Sequence, residues 1–450
     1  MLIGFFLFSG CYKIKPPVFT QTIEQDPDQY GTPFSGVPSA SNAIMYEVNI
    51  RCFSEAGNFT GVMNRLDSIR SLGVNVIYLM PIFPVGVVNS VNSPYCVKDY
   101  SAVNPEFGTL TQLRNLIDSA HHKNMSVIVD FVANHTSWDN AWISQHSDWY
   151  LQNNAGNIVS PPGMGWNDVA QLNFNSADMR KALIKKMKYW VFAANVDGFR
   201  FDYADGPPVD FWQQAIDTLR NISNHQLLLL AEGSRNSNFA AGFDFNFGFG
   251  SYAQLKNIFG NHAAASTLDA VNNAEFLNAN SQQQVVRYTS NHDVNGSDGI
   301  PQELFGGNEG AMSAFVIAAF MKGIPMIYNG QEVGTPFRLT FPFTGSNINW
   351  NINPSTKEMY KKLINIRNNS NAIKAGTLQS FSDGAVCSFV KAIPGENMWV
   401  ICNTSNADIT YTLPSTLQQT NWQDAVNNSN VFLDVSIHLN SYQFYILKQL

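Results

Sequence analysis

The sequence contains few charged side chains. They make up 14% of its 450 residues, whereas about a quarter is typical of soluble domains. Acidic residues outnumber basic ones, 34 to 27, for a net charge of −7. The chain therefore lacks the excess of positive charge that binds nucleic acid, and we expect no nucleic-acid partner.

Cysteine is also scarce, with 5 residues, and their spacing matches no metal site. The N-terminal apolar run, MLIGFFLFSG, is too short to span a bilayer. It ends in small residues before Cys11, which is typical of a bacterial lipoprotein signal. We therefore expect residues 1–11 to be a signal that leaves Cys11 lipidated and residues 12–42 to be a linker. An incidental apolar terminus is the alternative.

This interpretation predicts a location in the bacterial cell envelope. The protein would be anchored by lipid at the outer membrane or the cell surface, and it would contact the membrane only through that anchor. A periplasmic or secreted protein is the alternative.

Apolar residues are abundant, at 45%, and from Ala43 they occur in short runs that alternate with amphipathic stretches. Eight buried strands with crossover helices are typical of a (β/α)8 barrel, which we predict over residues 43–373. The connection between the fifth and sixth runs is short, so this unit fits the pattern least well. The eight runs are 43–50, 74–82, 125–132, 196–202, 227–232, 242–247, 284–290 and 324–330.

Two regions depart from the eightfold pattern. Residues 136–175 are dense in Trp, Asn, Gly and Pro, and such a long connection predicts a small subdomain inserted after the third strand. Helical patterns end near residue 374, and the remaining runs read as antiparallel strands, with PGEN (394–397) as a hairpin turn. We therefore predict a C-terminal antiparallel β-sandwich over residues 374–450.

Charged side chains follow several of the predicted barrel strands. Catalytic groups in such barrels stand at the C-terminal ends of the strands, so four carboxylates on four strands would meet at one mouth. A single acid at a strand end could instead cap the next helix. The residues at these ends are Asp130, His135, Arg200, Asp202, Glu232, His292 and Asp293.

Two of these carboxyl groups suit retaining glycoside hydrolysis. That reaction needs one ionised nucleophile and one protonated acid. Arg200 lies two residues before Asp202, on the same face of a strand, and favours an ionised Asp202. Glu232 follows the apolar run LLLLA, which favours the protonated form. The sequence therefore predicts Asp202 as the nucleophile and Glu232 as the acid/base.

With these acids in this order, the sequence resembles the α-amylase family of glycoside hydrolases. The matching segments are DFVANH (130–135), GFRFD (198–202), AE (231–232) and SNHD (290–293), in the family's order. GIPMIYNGQEVG (323–334) and SPYCVKDYSAVNPEFGT (93–109) resemble two further segments. The resemblance covers roughly residues 43–370 and extends more loosely over the terminal sandwich.

The resemblance implies roles for individual residues. It makes Asp202 the nucleophile, Glu232 the acid/base and Asp293 a transition-state stabiliser that binds sugar hydroxyls. Further residues would contact the sugar or support the site. Tyr95, His135, Arg200 and His292 form the first group, and Asp130 and Asn134 the second. Four tryptophans of the insert are candidate stacking platforms, with core packing as the alternative for each: Trp138, Trp142, Trp149 and Trp166.

The resemblance also raises the question of calcium. Many family members hold the ion between barrel and insert through the position of Asn134, an acid and a histidine. This sequence has Gln171 and Gly206 at the latter two positions. Hard cations need several oxygen ligands, so we predict no metal site and no required cofactor.

We expect an enzyme that cleaves α-1,4 bonds in starch-derived α-glucans and malto-oligosaccharides. A glucanotransferase or an exo-acting α-glucosidase of the same family is an alternative. A glycan-binding protein without catalysis is a further one, but such relatives typically lose the acids that stand here at Asp202, Glu232 and Asp293.

Overall fold

The computed structural model describes residues 26–344 and 348–450. The predicted signal, with Cys11, lies outside the described residues. The strands, in chain order, are Met45–Val48 (β1), Val76–Leu79 (β2), Ser126–Val132 (β3), His135–Ser137 (β4), Val169–Gln171 (β5), Gly198–Asp202 (β6), Leu228–Ala231 (β7), Phe245–Phe247 (β8), Gln284–Arg287 (β9), Ile324–Tyr328 (β10), Thr377–Ser380 (β11), Val386–Ile393 (β12), Glu396–Asn403 (β13), Ile409–Thr412 (β14), Thr420–Asp424 (β15), Ser429–Leu433 (β16), Ser436–Leu439 (β17) and Phe444–Gln449 (β18).

Helices connect most of the barrel strands. The α-helices are Ile50–Phe53 (α1), Phe59–Met63 (α2), Leu66–Ser71 (α3), Leu110–His122 (α4), Ala141–Gln145 (α5), Ala177–Ala194 (α6), Val209–Arg220 (α7), Ser237–Ala241 (α8), Phe249–Asn261 (α9), Thr267–Glu275 (α10), His292–Ser297 (α11), Pro301–Leu304 (α12), Gly307–Phe320 (α13), Pro354–Asn368 (α14) and Asn371–Ala375 (α15). Short 3₁₀ helices cover Ala40–Asn42, Ser147–Trp149, Gln331–Val333 and Ser415–Leu417. Among the described residues, none of these helices has the length and apolarity needed to cross a membrane.

Eight parallel strands close into a barrel, in the order β1-β10-β9-β8-β7-β6-β3-β2. Each of them falls within one of the eight apolar runs, so the predicted (β/α)8 barrel is confirmed. The short link between β7 and β8 contains α8, a helix of only five residues. This is why the fifth and sixth runs fit the sequence pattern least well.

The alternation along β6 places its charges inside the barrel. Arg200 and Asp202 point into the mouth, while the ring of Phe201 packs 4.8 Å from that of Trp212 on α7. Gly198 begins the strand with φ +145°, and a Cβ there would lie 1.9 Å from the carbonyl oxygen of Leu228. Only glycine lets β6 approach β7 this closely, so Gly198 helps to set the position of the two charges.

The structure also contains the insert after β3 and the C-terminal antiparallel strands. β4 and β5 pair antiparallel across the base of the insert. The C-terminal strands build a six-stranded antiparallel sheet, β11-β12-β13-β18-β15-β16, and a two-stranded sheet, β14-β17. The predicted hairpin is present, since Ile393 pairs with Glu396 across a two-residue turn whose Gly395 has φ +84°.

The described part of the expected linker differs from the prediction. Residues 26–42 lie against the barrel wall: the Tyr30 N–H donates to the Phe192 carbonyl at 2.8 Å, and its hydroxyl donates to Asp118 at 2.7 Å. The ring of Phe34 stacks on His121. Aromatic side chains within an otherwise polar segment give it an apolar surface to bury, which a flexible linker lacks. Residues 12–25 lie outside the described residues, and a linker there stays a prediction.

Candidate active site

Arg200 stands at the centre of the barrel mouth and is almost fully buried. Its Nη1 lies 2.9 Å from both carboxylate oxygens of Asp130 and 3.1 Å from Asp202 Oδ1. Its Nη2 lies 2.7 Å from Glu232 Oε1. Asp130 and Arg200 are register partners on β3 and β6, so their side chains share the interior face. One guanidinium therefore holds three of the four predicted acids.

The electrostatics of Asp202 and Glu232 differ from the sequence-based expectation. Burial, reinforced by the charge of Glu232, raises the pKa of Asp202 well above its usual range, although Arg200 opposes the shift. Burial also raises the pKa of Glu232. Arg200 contacts both groups, so it does not select Asp202 for ionisation. Instead the two carboxyls titrate as a pair. The pair keeps one proton at a pH at which two isolated carboxyls would both be ionised.

The opposite wall of the mouth carries His292, Asp293 and Tyr95. His292 Nε2 lies 3.3 Å from Asp293 Oδ1 and 2.7 Å from the Tyr95 hydroxyl. The rings of Tyr95 and His292 stack with centroids 5.5 Å apart. Asp293 is the most open of the predicted acids, with its side chain 56% exposed. A carboxylate so placed is accessible to hydroxyl groups of a ligand in the mouth.

His135 lies beside a cavity of about 240 Å³ at the mouth. Burial lowers the pKa of this histidine to about 4, so the ring is neutral at physiological pH. The Trp166 ring packs edge-on at 5.6 Å from His135. Loops after β2, β3 and β10 contribute the rest of the lining. The cavity is lined by Val91, Ser93, Tyr95, His135, Trp166, Asp168, Val169, Asp202 and Phe341.

Only one of the four tryptophan candidates, Trp166, lines this cavity. Trp142 and Trp149 pack edge-on against each other at 5.1 Å, inside the insert. Trp138 donates its indole N–H to the Asn167 carbonyl at 3.0 Å and packs on the barrel core. Core packing therefore accounts for these three.

Two loops form an apolar rim over the cavity. Val91 and Phe341 remain about half exposed, at 54% and 50%. Arg51 on α1 holds both loops: its Nη1 donates to the carbonyl of Asn92 at 2.7 Å and to that of Pro342 at 3.1 Å. Larger depressions of about 830 and 640 Å³ lie away from the mouth, against α14. The cluster of carboxylates at the mouth, and not the volume of the cavity, therefore identifies the candidate active site.

Asn134 belongs to a different environment, the junction between barrel and insert. The Nε2 of Gln171 donates to the Asn134 carbonyl at 3.0 Å, to Asn134 Oδ1 at 3.2 Å and to the Leu172 carbonyl at 3.0 Å. Asn134 Nδ2 in turn donates to Gln171 Oε1. The inward-facing oxygens already accept N–H donors, and this junction contains no carboxylate. These residues therefore do not fit a calcium ion.

No cluster of three or more His, Cys, Asp or Glu side chains with the geometry of a metal site occurs in residues 26–344 and 348–450. The predicted acids at the mouth pair instead with Arg200 or with His292.

Two residues at the base of the mouth were not predicted. Tyr78 on β2 donates to Asp130 Oδ2 at 2.6 Å. Glu47 on β1 is fully buried, and its Oε1 lies 2.5 Å from His292 Nδ1. The signal for Glu47 is similar to the one that identified Arg200 and Asp202, namely a charged side chain within an apolar strand. Tyr78 gave no such signal, since tyrosine is common in strands.

Eight of the nine predicted site residues thus meet at the mouth, and Asn134 supports the adjoining junction. Two buried acids with raised pKa values lie beside one arginine, at a cavity that is rimmed by aromatic and aliphatic groups. This arrangement provides a proton donor and a carboxylate nucleophile in one place, as glycosyl transfer requires.

Comparisons with known proteins found a matching family and similar sequences. Residues 25–207 match the family described as "Alpha amylase, catalytic domain". Alpha-amylase 3 of Dictyoglomus thermophilum is 25% identical, over 85% of this chain and 88% of that protein. A cyclomaltodextrinase of Thermoanaerobacter pseudethanolicus is 23% identical, over 88% of this chain and 70% of that protein.

A solved structure shows the same fold. The crystal structure of a maltogenic α-amylase from Thermotoga neapolitana superposes with a TM-score of 0.81, at 23% identity, over 91% of this chain and 99% of that one. The protein is an enzyme of the glycoside hydrolase class. The match over residues 25–207 and the two similar proteins relate this chain to the α-amylase family.

Proposed function

We propose that the protein is a retaining α-glycoside hydrolase that cleaves α-1,4 bonds in starch-derived glucans and malto-oligosaccharides. The observation that carries this proposal is the position of Asp202 and Glu232 on one guanidinium, beside the cavity. The names of the similar proteins, two α-amylases and a cyclomaltodextrinase, support α-glucans as the substrate class.

In the first step, a carboxylate oxygen of Asp202 attacks the anomeric carbon. Glu232 gives its proton to the glycosidic oxygen, which leaves as the hydroxyl of the released sugar. A covalent ester between the sugar and Asp202 results. Arg200 holds the two groups in place, and the proton that the pair retains supplies the acid.

In the second step, Glu232 takes a proton from water, and the resulting hydroxide attacks the anomeric carbon. The ester bond breaks and Asp202 leaves as a carboxylate. Two inversions give net retention, so the product has the α configuration. Asp293, His292 and His135 surround the sugar. The two histidines bind its hydroxyls, and the carboxylate of Asp293 stabilises the positive charge that develops on the ring.

Product analysis on maltoheptaose tests this function. We expect shorter malto-oligosaccharides, with the α-anomer appearing first in a proton NMR time course. Products longer than the substrate would indicate a glucanotransferase, and glucose as the sole early product would indicate an exo-acting α-glucosidase. β-Anomers, or no cleavage at all, would contradict the proposal.

We also propose that the protein is anchored in the bacterial cell envelope by lipid on Cys11. The support is the sequence of the N-terminus together with the path of residues 26–42. Asn195, at the end of α6, donates to the Thr32 carbonyl. The ring of Phe34 stacks on His121, and His121 in turn pairs with Asp197, just before β6. These contacts lie at the N-terminal ends of the strands, opposite the mouth. An anchor on this side would leave the mouth facing away from the membrane.

Fractionation of the source cell tests the anchor. We expect the native protein in the membrane fraction, and we expect Cys11→Ala to release it with unchanged activity per molecule. A wild-type protein recovered wholly in the soluble fraction would contradict the anchor and leave the proposed enzyme activity intact.

A further inference from the structure

Glu47 is a carboxylate in the interior of the barrel, directly beneath the mouth. It lies on β1, fully buried, and its register partners are Tyr78 on β2 and Tyr328 on β10. Its Oε1 lies 2.5 Å from His292 Nδ1, while its Oε2 has no hydrogen-bond partner. A buried carboxylate oxygen without a partner is unfavourable. Glu47 is therefore poorly explained as a group that stabilises the fold.

A second buried carboxylate at the same end of the barrel shows the contrast. Glu332 is also almost fully buried, but both of its oxygens accept hydrogen bonds. Oε1 accepts from the Tyr46 hydroxyl at 2.6 Å, and Oε2 accepts from the Gly330 N–H at 3.0 Å. Glu332 is a satisfied structural group, whereas the single contact of Glu47 is with a residue of the active site.

The hydrogen bonds around His292 determine its protonation. Burial raises the pKa of Glu47, and the charges of His292 and Arg200 oppose that rise. With Glu47 ionised, Nδ1 must carry a proton to donate to its carboxylate. Nε2 faces the Tyr95 hydroxyl at 2.7 Å, and that hydroxyl donates its own proton to Asp130 at 3.0 Å. Nε2 must therefore also carry a proton to donate to Tyr95. A ring that donates from both nitrogens is an imidazolium.

The charges that face His292 favour the same state. Burial lowers its pKa, but the carboxylates of Asp293 and Glu47 outweigh burial and raise the pKa to about 9, against the opposing charge of Arg200. The charged and titratable groups around it come from five elements. They are Glu47 on β1, Asp293 on α11, Arg200 on β6, Glu232 after β7 and Tyr95 in the loop after β2.

We propose that Glu47 is a positioning residue, which holds His292 doubly protonated and thereby fixes the orientation of Tyr95 and Asp293 at the sugar site. It touches neither substrate nor reacting atoms and acts only through His292. The proposal rests on the proposed function, because the sugar contacts of His292 and Asp293 belong to that function. Without the carboxylate, Nδ1 no longer needs to donate to an anion, and the neutral ring can accept at Nε2 instead.

Glu47→Gln tests this role, with Glu332→Gln as the matched control. Each variant replaces one buried carboxylate by an amide of the same size. The first readout is the pH titration of the His292 imidazole by NMR, with the signal assigned by its loss in His292→Asn. We expect the wild-type ring to stay charged until about pH 9. Glu47→Gln should lower this pKa by at least about one unit, because a nearby opposite charge is removed.

The second readout is kinetic. In Glu47→Gln, kcat should fall by about tenfold or more with KM little changed, since a misplaced group weakens the transition state more than the ground state. Glu332→Gln should leave both the His292 titration and kcat as they are in the wild type.

Several outcomes would overturn the proposal. One is a His292 titration that is unchanged in Glu47→Gln, and another is a lowered pKa without a fall in kcat. If Glu47→Gln fails to fold, the titration of His292 in the wild type tests the proposal. A charged ring at pH 7 supports the hydrogen-bond argument, and a neutral ring contradicts it. A wild-type protein without activity on α-glucans would contradict the proposed function, while the titration would still decide the role of Glu47.

Discussion

The barrel mouth buries charged side chains, whereas the barrel–insert junction buries neutral ones. The two regions are neighbours, since His135 at the mouth directly follows Asn134 at the junction. Both regions bury polar side chains where an insert closes over a barrel. At the mouth, Arg200 gathers three carboxylates, and burial raises the pKa of Asp202 and of Glu232. At the junction, the neutral amides of Asn134 and Gln171 satisfy each other.

The difference shows where this chain retains buried charge. A buried charge is unfavourable unless it is paired, whereas a neutral amide needs only its hydrogen bonds. Charge is concentrated at the mouth, where the proposed reaction needs a proton donor and a nucleophile. The Asn134–Gln171 contact, which joins the barrel to the insert, contains only neutral amides. Removing charge at the mouth should therefore abolish activity, and adding charge at the junction should reduce stability.

The largest expected effect is that of Asp202→Asn. The amide keeps the volume but cannot attack the anomeric carbon, so kcat should fall by several orders of magnitude. The melting temperature should not fall, because Arg200 keeps Asp130 and Glu232 as partners and the repulsion between Asp202 and Glu232 is removed. Asp210→Asn, which alters only an exposed pair with Arg180, is the control. Retention of more than about a tenth of the wild-type rate would contradict the assignment.

A second effect concerns pH. Burial raises the pKa of both Asp202 and Glu232, and the charge of Glu232 raises that of Asp202 further. The acid limb of kcat/KM should therefore lie above the usual carboxyl range near about pH 4. Activity is lost below that limb because the nucleophile becomes protonated. The alkaline limb should report loss of the proton that Glu232 donates, and a further loss of activity should follow near the pKa of His292, about 9, where the imidazolium loses its proton. A profile that is flat from pH 4 to pH 10 would contradict this account.

A smaller effect is expected at the junction. In Gln171→Glu a carboxylate would face the oxygens of Asn134 and Leu172, which now accept from an amide N–H. We expect a loss of about 1–3 kcal/mol in the free energy of unfolding, measured by denaturant titration. Calcium should restore the loss, since the variant presents several oxygen ligands. Gln171→Ala is the control, because it should lose stability without any response to calcium. Wild-type stability of Gln171→Glu in EDTA would contradict the account.

The smallest effect is that of chelation on the wild type. Because Gln171 already occupies the junction, EDTA should change neither activity nor melting temperature. Differential scanning calorimetry with and without EDTA measures this. A large fall in melting temperature that calcium reverses would show that the wild-type junction does hold a cation.

The eight barrel strands could be predicted because each is a short apolar run between amphipathic stretches. The acids at strand ends could be predicted because parallel strands bring those ends to one mouth. Contacts between distant segments could not. The proximity of Arg200 Nη2 to Glu232 depends on strand register, and so does the path from Glu47 to His292. The binding of residues 26–42 to α4 and α6 was likewise hidden within a polar composition.

The most direct test of the central claim is to trap the covalent intermediate. The enzyme is incubated with an α-glucosyl fluoride that carries a second fluorine on the ring to slow hydrolysis, then digested and analysed by mass spectrometry. The account predicts a glycosyl adduct on the peptide that contains Asp202, with no adduct in Asp202→Asn. A stable adduct on Glu232, or turnover of α-glucans with inversion and no adduct, would contradict it.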